Sequence, residues 1–544
     1  MYTKRFAIFL LGLLSPILLH AQSHANGKTY RPKLVVGIVV EDIRPDYIDR
    51  YWDKFRTDGF RRLVNQGFVC RNNHIDNLIQ RPSVGMATLF TGAAPSFNGI
   101  VNDQWIDRLR KKVIDCTHDD YYTTVGSNST EGDRSAMKLM TPTIGDALKI
   151  MTNGKAKVYS VALNAPAAVF SAGHAGDGAY WFDPESGNMI SSSYYVETFP
   201  DWAFNFNNQK LADDYIHRKW ETLYPISSYT ESIADDYILE PGYYDKWNTF
   251  PYELSKLQKR TEDYRVLKTT PYGNLMVSDF ATSLIANEGL GQDSIPDMLT
   301  VTFSSMDYER NSFGPASVEM EDTYLRMDQN IAHLLNYLDR TIGKDNVVVF
   351  LTGTSSESYP SSYLKEEFHM QAGTFNPEGA VALLKAYLNI KFGQGNYVES
   401  YMNQQVYFDR DLISERKIDL ATIQKEAASF LNQFEGVASC RAASELESVN
   451  LLGSSFAPFQ NSYNPKRSGD ILLRFEEGWQ PKEKYRRIDY TENSQVPLIF
   501  WGGHVKHGTL NQRTNIMDVV PTLADFLGIM PPNAAKGSII NVRK

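Results

Sequence analysis

The sequence is short of cysteine, of basic charge, of histidine and of long apolar runs, and each shortage removes a class of protein. Three cysteines, Cys70, Cys116 and Cys440, cannot all pair within one chain, and so few of them exclude a disulfide-stapled scaffold. A Cys70–Cys116 bridge stays open. With 55 Lys and Arg against 64 Asp and Glu the formal net charge is −9, which argues against nucleic acid or an anionic membrane surface as the main partner. Beyond the first residues no stretch is long and apolar enough to span a bilayer, so no transmembrane segment is predicted. There is no His-Glu-x-x-His, Cys-x-x-Cys, Gly-x-Ser-x-Gly or Walker-type loop, and none of the chemistries those motifs carry announces itself. The ten histidines are scattered. His174, in Ala172-Gly173-His174, reads as a structural hydrogen-bonding residue, and His504 and His507 as a surface loop.

What is present begins with a leader. Lys4 and Arg5 precede an apolar run over 6–19 and small residues around Ala21. This is the pattern of a secretory signal peptide, residues 1–21, and it predicts a periplasmic or secreted protein. The remainder of the 544 residues is long enough for a large α/β body with insertions. Apolar, β-branched runs at 33–40, 158–163, 298–303, 347–351 and 496–501 read as strands buried on both faces. Helical patterns lie between them. One follows the first strand as far as Val64, and another carries Val318, Tyr324, Leu325, Ile331, Leu334, Leu335 and Leu338 ahead of Gly343. The alternation predicts a doubly wound, mostly parallel sheet with helices on both faces. Two stretches interrupt it: 191–272, dense in Tyr, Trp, Asp and Pro, and 361–480, with helical patterns near 378–392 and 418–433. Both read as insertions that cap the site, leaving core parts at 32–190, 273–360 and 481–544.

In such sheets ligands and metals gather beyond the carboxyl ends of the strands, so the residues just past each run are the candidates. The run at 298–303 enters a polar elbow, Asp307-Tyr308-Glu309-Arg310-Asn311, before Phe313-Gly314-Pro315. That elbow, with GFRRLVNQGF at 59–68, ATLFTG at 87–92, SAGHAGDGAYWFD at 171–183 and VPLIFWGG at 496–503, resembles in order the alkaline phosphatase superfamily. The resemblance is greatest to the phosphate-irrepressible alkaline phosphatases of Gram-negative bacteria and covers nearly the whole chain after the leader. It implies an alkaline phosphatase-like fold. In that family two zinc ions, held by Asp and His, activate a Thr or Ser nucleophile and clamp the transferring phosphoryl group.

Carried over position by position, the resemblance implies a changed site. The family's Asp at the end of the first strand falls on Glu41, or on Asp42 with a one-residue shift. Its nucleophile falls on Pro82, leaving Ser83, beside Arg81, as a remnant candidate. The elbow keeps Asp307 but has Asn311 where the family has His. Thr354 and Ser355 replace an Asp-His pair, and Gln495 replaces the last His. The family's Lys-x-Arg pair falls on Asn164 and Pro166, and its phosphate-contacting Asn on Asp103, next to Asn102. Amides and hydroxyls are poor zinc ligands. The expectation is therefore a retained fold around a dismantled zinc site, with no cofactor, no metal centre and no catalytic residue beyond the remnant Ser83. The cleft would be lined by Glu41, Asp103, Asp307, Asn311, Thr354, Ser355 and Gln495. Such a lining, neutral-polar to acidic, suits an unidentified small molecule or an envelope protein, and the predicted function is that of a pseudoenzyme acting by binding or scaffolding in the cell envelope. The alternative is a phosphate- or sulfate-ester hydrolase using one hard cation, calcium or magnesium, on Glu41, Asp42 and Asp307. A third class, an envelope assembly component, requires the aromatic rings between Tyr194 and Tyr252 to form an exposed patch.

Overall fold

The computed structural model describes residues 30–240, 242–244, 246–305, 313–482 and 494–544. The predicted leader and the elbow residues Asp307 and Asn311 lie outside the described residues. In chain order the strands of the main sheet are β1 (Leu34–Glu41), β2 (Phe68–Cys70), β3 (Thr124–Val125), β4 (Val158–Ala162), β5 (Gly178–Phe182), β6 (Met189–Ser192), β7 (Asp297–Ser304), β8 (Val347–Gly353), β9 (Leu498–Gly502) and β10 (Gly508–Leu510). They form one ten-stranded sheet ordered β10-β2-β9-β8-β1-β7-β4-β5-β6-β3. The first run of the sequence is its centre. Every residue of β1 is buried, and β1 pairs in parallel with β7, Leu34 opposite Asp297 through Glu41 opposite Ser304, and with β8, Leu34 opposite Val347 through Val40 opposite Gly353.

Side chains alternate across a strand, so β1 feeds two cores. Val36, Ile38 and Val40 pack with Phe280 and Leu284 of α3 (Pro271–Glu288) and with Leu334 and Leu335 of α4 (Val318–Thr341). On the other face Val35 and Val39 pack with Met86 and Phe90 of α1 (Pro82–Thr91) and with Val169 and Phe170 of α2 (Ala165–Ala172). Each such aliphatic side chain, fully buried, contributes roughly 1.5–3 kcal/mol. The predicted α/β class and the helices on both faces are observed. The run at 496–501 differs in direction: β9 is antiparallel to both β8 and β2. An apolar run looks the same in either direction, and here it is the start of β9 that lies at the carboxyl ends of β8 and β2, Leu498 opposite Thr352 and Cys70.

The helix predicted up to Val64 is broken into Tyr47–Arg50, a 3-10 turn at Trp52–Lys54 and Phe60–Gln66. The break has a tertiary cause. Asp328 of α4 accepts the N–H groups of Arg56 and Phe60, both at 2.7 Å, and a Cβ on Gly59 would lie 2.1 Å from Asp328 Oδ1. The stretch 191–272 is held to α4 in a related way. Asp322, fully buried, accepts Trp220 Nε1 at 2.7 Å, Leu223 N at 2.6 Å and Tyr229 OH at 2.6 Å. Trp220, Tyr229, Tyr243 and Tyr252 join the core beneath α3 and α4, whereas Phe204 and Tyr224 of the same stretch are exposed. The stretch 361–480 carries its own four-stranded sheet, ordered Val398–Met402, Gln405–Phe408, Ile471–Phe475, Val437–Ala442. Helices Pro377–Phe392 and Leu420–Leu431 cover it around a separate core. Cys70, Cys116 and Cys440 are buried and unbridged, and no helix of the described residues is long and apolar enough to cross a membrane.

Candidate functional site

At the end of β1 the chain must turn away from two parallel neighbours at once, and it does so through a left-handed residue, Asp42 at φ 62°. Few side chains tolerate that region, Asp among them. Ser355, just past β8, holds the turn: its hydroxyl accepts from Asp42 N at 3.2 Å and donates to Asp42 Oδ1 at 2.6 Å. Glu41 is buried, and its Oε2 accepts from Asn164 Nδ2 at 3.0 Å. Asn164 stands at the N-cap of α2, directly after β4. Ser305, just past β7, donates its hydroxyl to the Glu41 carbonyl at 2.9 Å. Four strand ends are thus tied together by short polar side chains.

The start of α1 is pressed onto this cluster. Pro82 suits the first helical turn, where its missing N–H is no loss. Gly85 one turn on is required by contact, because a Cβ there would lie 1.8 Å from the Thr354 carbonyl. Ser83 is buried and donates its hydroxyl to Asp103 Oδ1. Next to it Asn102 Oδ1 accepts from Asp103 N at 2.9 Å and from Asn403 Nδ2 at 3.0 Å. Asn403 and Gln404, at φ 47° and 64°, form the tip of a hairpin of the four-stranded sheet, so the stretch 361–480 touches the rim of the site. Arg81, at the N-cap of α1, is buried as well.

The structure therefore gathers Glu41, Asp42, Thr354 and Ser355 with the start of α1 and its Ser83–Asp103 pair. Gln495 precedes β9, but its Nε2 donates to Arg71 O at 2.8 Å, on the side of β9 away from β8. Asp307 and Asn311 lie outside the described residues. Sequence reasoning passed over Glu357. Its Oε2 accepts from Tyr47 OH at 2.9 Å, while Arg44 donates to its backbone carbonyl at 3.0 Å. Burial, with the Asp42 charge adding to it, pushes the Glu357 carboxyl up to about 8. No local signal marks a carboxyl within a serine-rich loop as buried.

Chemically the cluster pairs carboxylates with neutral amides and hydroxyls. Its described oxygen donors include the carboxyl groups of Glu41, Asp42, Asp103 and Glu357 and the hydroxyls of Ser83, Thr354 and Ser355, and none of these is an imidazole. Among the described residues no group of three or more His, Cys, Asp or Glu is placed to hold a metal ion. Zinc takes thiolate, imidazole and carboxylate ligands in a closely tetrahedral shell, and the described residues do not fit a two-zinc centre.

Comparison with known proteins agrees with the architecture. The family profile of type I phosphodiesterase / nucleotide pyrophosphatase matches residues 35–495. A protein of Myroides odoratus named calcium-transporting ATPase is 35% identical over 524 residues, 95% of each chain. Alkaline phosphatase PhoV of Synechococcus elongatus is 35% identical over 514 residues, covering 94% of this chain and 92% of its own. The crystal structure of wild-type alkaline phosphatase PafA superposes with a TM-score of 0.88 at 35% identity, over 94% of this chain and 99% of that one.

Proposed function

Because the chain belongs to the type I phosphodiesterase / nucleotide pyrophosphatase family and to its alkaline phosphatase branch, we propose that it keeps a hydrolase fold while having lost two-metal phosphoryl transfer, and that it acts by binding or scaffolding in the cell envelope. The observation that carries this reading is the pairing at the strand ends. Asn164 donates to Glu41 Oε2 and Ser355 to Asp42 Oδ1, so one oxygen of each carboxylate accepts from a neutral group where a two-zinc site would hold it to a cation. Pro82 at the head of α1 supports it, since proline offers no nucleophile. The location follows from the leader pattern at 1–21.

The test is metal content and turnover of the purified mature protein. Well under one equivalent of zinc is expected. Phosphomonoesters, phosphodiesters and sulfate esters should turn over no faster than with a Ser83→Ala control. Two tightly bound zinc ions per chain, or a metal-dependent rate abolished by Asp307→Ala, would establish a working hydrolase instead.

A further inference from the structure

The molecule carries a concavity beside the loop that follows β8. It measures about 310 Å³ including its open mouth and is walled by Tyr237, Phe313, Tyr359 and Tyr363, with Glu240 in the lining. Tyr359 and Tyr363 stack with ring centroids 5.1 Å apart, and Tyr237 meets Tyr363 edge-on at 5.9 Å. The hydroxyls of two of these rings are engaged elsewhere: Tyr237 OH donates to Glu367 Oε1 at 2.9 Å, and Tyr359 OH accepts from Arg50 at 2.6 Å. Ring surface is therefore what the walls present.

Glu240 is the anomaly. It is 8% exposed, and neither of its carboxyl oxygens has a hydrogen-bond partner among the described residues. A buried carboxyl without partners costs several kcal/mol, so its retention in a cavity lining points to a ligand that completes it. Glu319, wholly buried nearby, accepts from Tyr252 OH at Oε1 and leaves Oε2 without a partner. An anion would find no cationic side chain among the described lining residues, and a metal ion would find aromatic rings where it needs oxygen donors. Aromatic faces and a carboxylate together are the environment of an organic cation. The enclosed part has room for about one water-sized group, which admits an –NH₃⁺ head and excludes a trimethylammonium.

We propose that this concavity binds an alkyl primary ammonium group, with Glu240 as its counter-ion and the rings of Tyr237, Phe313 and Tyr363 as its walls. The Arg44 guanidinium lies 4.3 Å from the Tyr359 ring centroid and so links this concavity to the strand-end cluster, and the concavity operates whether or not the strand ends are catalytic.

Binding should release a proton. Burial, with the charges of Glu319 and Asp235 adding to it, raises the Glu240 pKa, so the empty site holds a carboxylic acid. Docking of R–NH₃⁺ then expels the carboxyl proton to solvent and leaves an ammonium–carboxylate pair, with no other bond made or broken. The other titratable group that feels the Glu240 charge is Tyr363. Behind the walls stand Arg50, already paired with Asp46, and Glu367.

The experiment titrates n-butylammonium chloride into the full mature protein by calorimetry, in two buffers of different ionisation enthalpy, with n-butanol as the neutral control. Saturable binding, an apparent enthalpy that differs between buffers by the released proton, and affinity weakened roughly ten-fold or more in Glu240→Gln are expected. A blocked lysine amide forms a second arm: tighter binding of that amide identifies a protein side chain as the source of the ammonium, and equal binding a free amine. Should Glu240→Gln misfold, Tyr363→Leu removes a wall and should also weaken binding. Glu240→Leu should melt at a higher temperature than the wild type, since it removes an unpartnered buried carboxyl. No binding at tens of millimolar, equal binding of butanol, equal affinity in Glu240→Gln, or the same enthalpy in both buffers would overturn the proposal. Zinc content and turnover do not enter this test, so its failure is distinct from failure of the functional reading above.

Discussion

His174 is held from both sides, by Asp146 Oδ2 at 2.9 Å and by Leu139 O at 3.0 Å. The Asp146 hydrogen bond raises the imidazole pKa against the opposing effect of burial. Burial pushes Asp146 up, but the His174 bond and the N–H groups of Thr143 and Ala175 outweigh it and hold that carboxyl below its ordinary value. A raised histidine stabilises fully below its unfolded pKa of about 6.5, and the gain fades as pH rises through the folded value. A depressed aspartate stabilises above about 3.9, and its gain fades as pH falls through the folded value. The pair therefore contributes most between about pH 4 and 6.5. We expect His174→Ala to cost about 1–2 kcal/mol at pH 5.5 and distinctly less at pH 9, measured by urea denaturation. An equal cost at both pH values would mean that His174 acts by packing alone. The structural role read from the motif thus has a physical content that the motif did not contain, namely which carboxylate holds the ring.

Among the elements, α4 departs most from its sequence reading. Its apolar period is real, but Glu319, Glu321, Asp322 and Asp328 are buried too, where an amphipathic reading would have placed them in solvent. Each is an anchor for chain arriving from elsewhere. Asp322 accepts from Trp220, Leu223 and Tyr229 and also from Arg326 Nε at 2.7 Å, and Lys54 and Ser232 donate to Glu321. Removing the Asp322 carboxylate strands several buried donors at once. Asp322→Ala should cost about 3–5 kcal/mol, while Asp322→Asn, which keeps an acceptor oxygen, should cost less. Limited proteolysis should cut Asp322→Ala within 221–230 faster than wild type. Unchanged protection would show that ring packing alone holds that segment.

For the molecule as a whole, the question is whether the scaffold still presents its strand ends as a metal site would need them. Glu41→Asp, Asn311→His, Thr354→Asp, Ser355→His and Gln495→His, with Pro82→Thr for the nucleophile, return the side chains that the family resemblance implies. Zinc affinity by calorimetry should appear in this variant before activity does, because ligand type and geometry dominate metal binding. Activity should lag, since Asn164, Pro166 and Asp103 would still fail to stabilise transition-state charge, commonly worth about 3–4 kcal/mol per donor. Two features work against the rebuilding. Ser355→His removes the hydroxyl that holds the left-handed turn at Asp42, and position 495 is fastened to Arg71. A folded variant that binds no zinc would show that the cleft has changed shape as well as chemistry.

The buried strands, the α/β class and the meeting of Glu41, Asp42, Thr354 and Ser355 at the strand ends were legible in the chain, because burial on both faces writes itself into continuous β-branched runs and strand ends follow directly from those runs. The chemistry on offer at the site was legible too, since side-chain type is sequence. The direction of β9 was not, because hydrophobicity carries no arrow, nor was the break before Phe60, which depends on Asp328 more than two hundred residues away in the chain. Nor could the sequence say that Asn164 meets Glu41, that Ser355 clasps Asp42, or that Glu240 is buried without a hydrogen-bond partner among the described residues. Those facts depend on which distant segments share a few ångströms of space, and only the packing of the sheet and its insertions decides that.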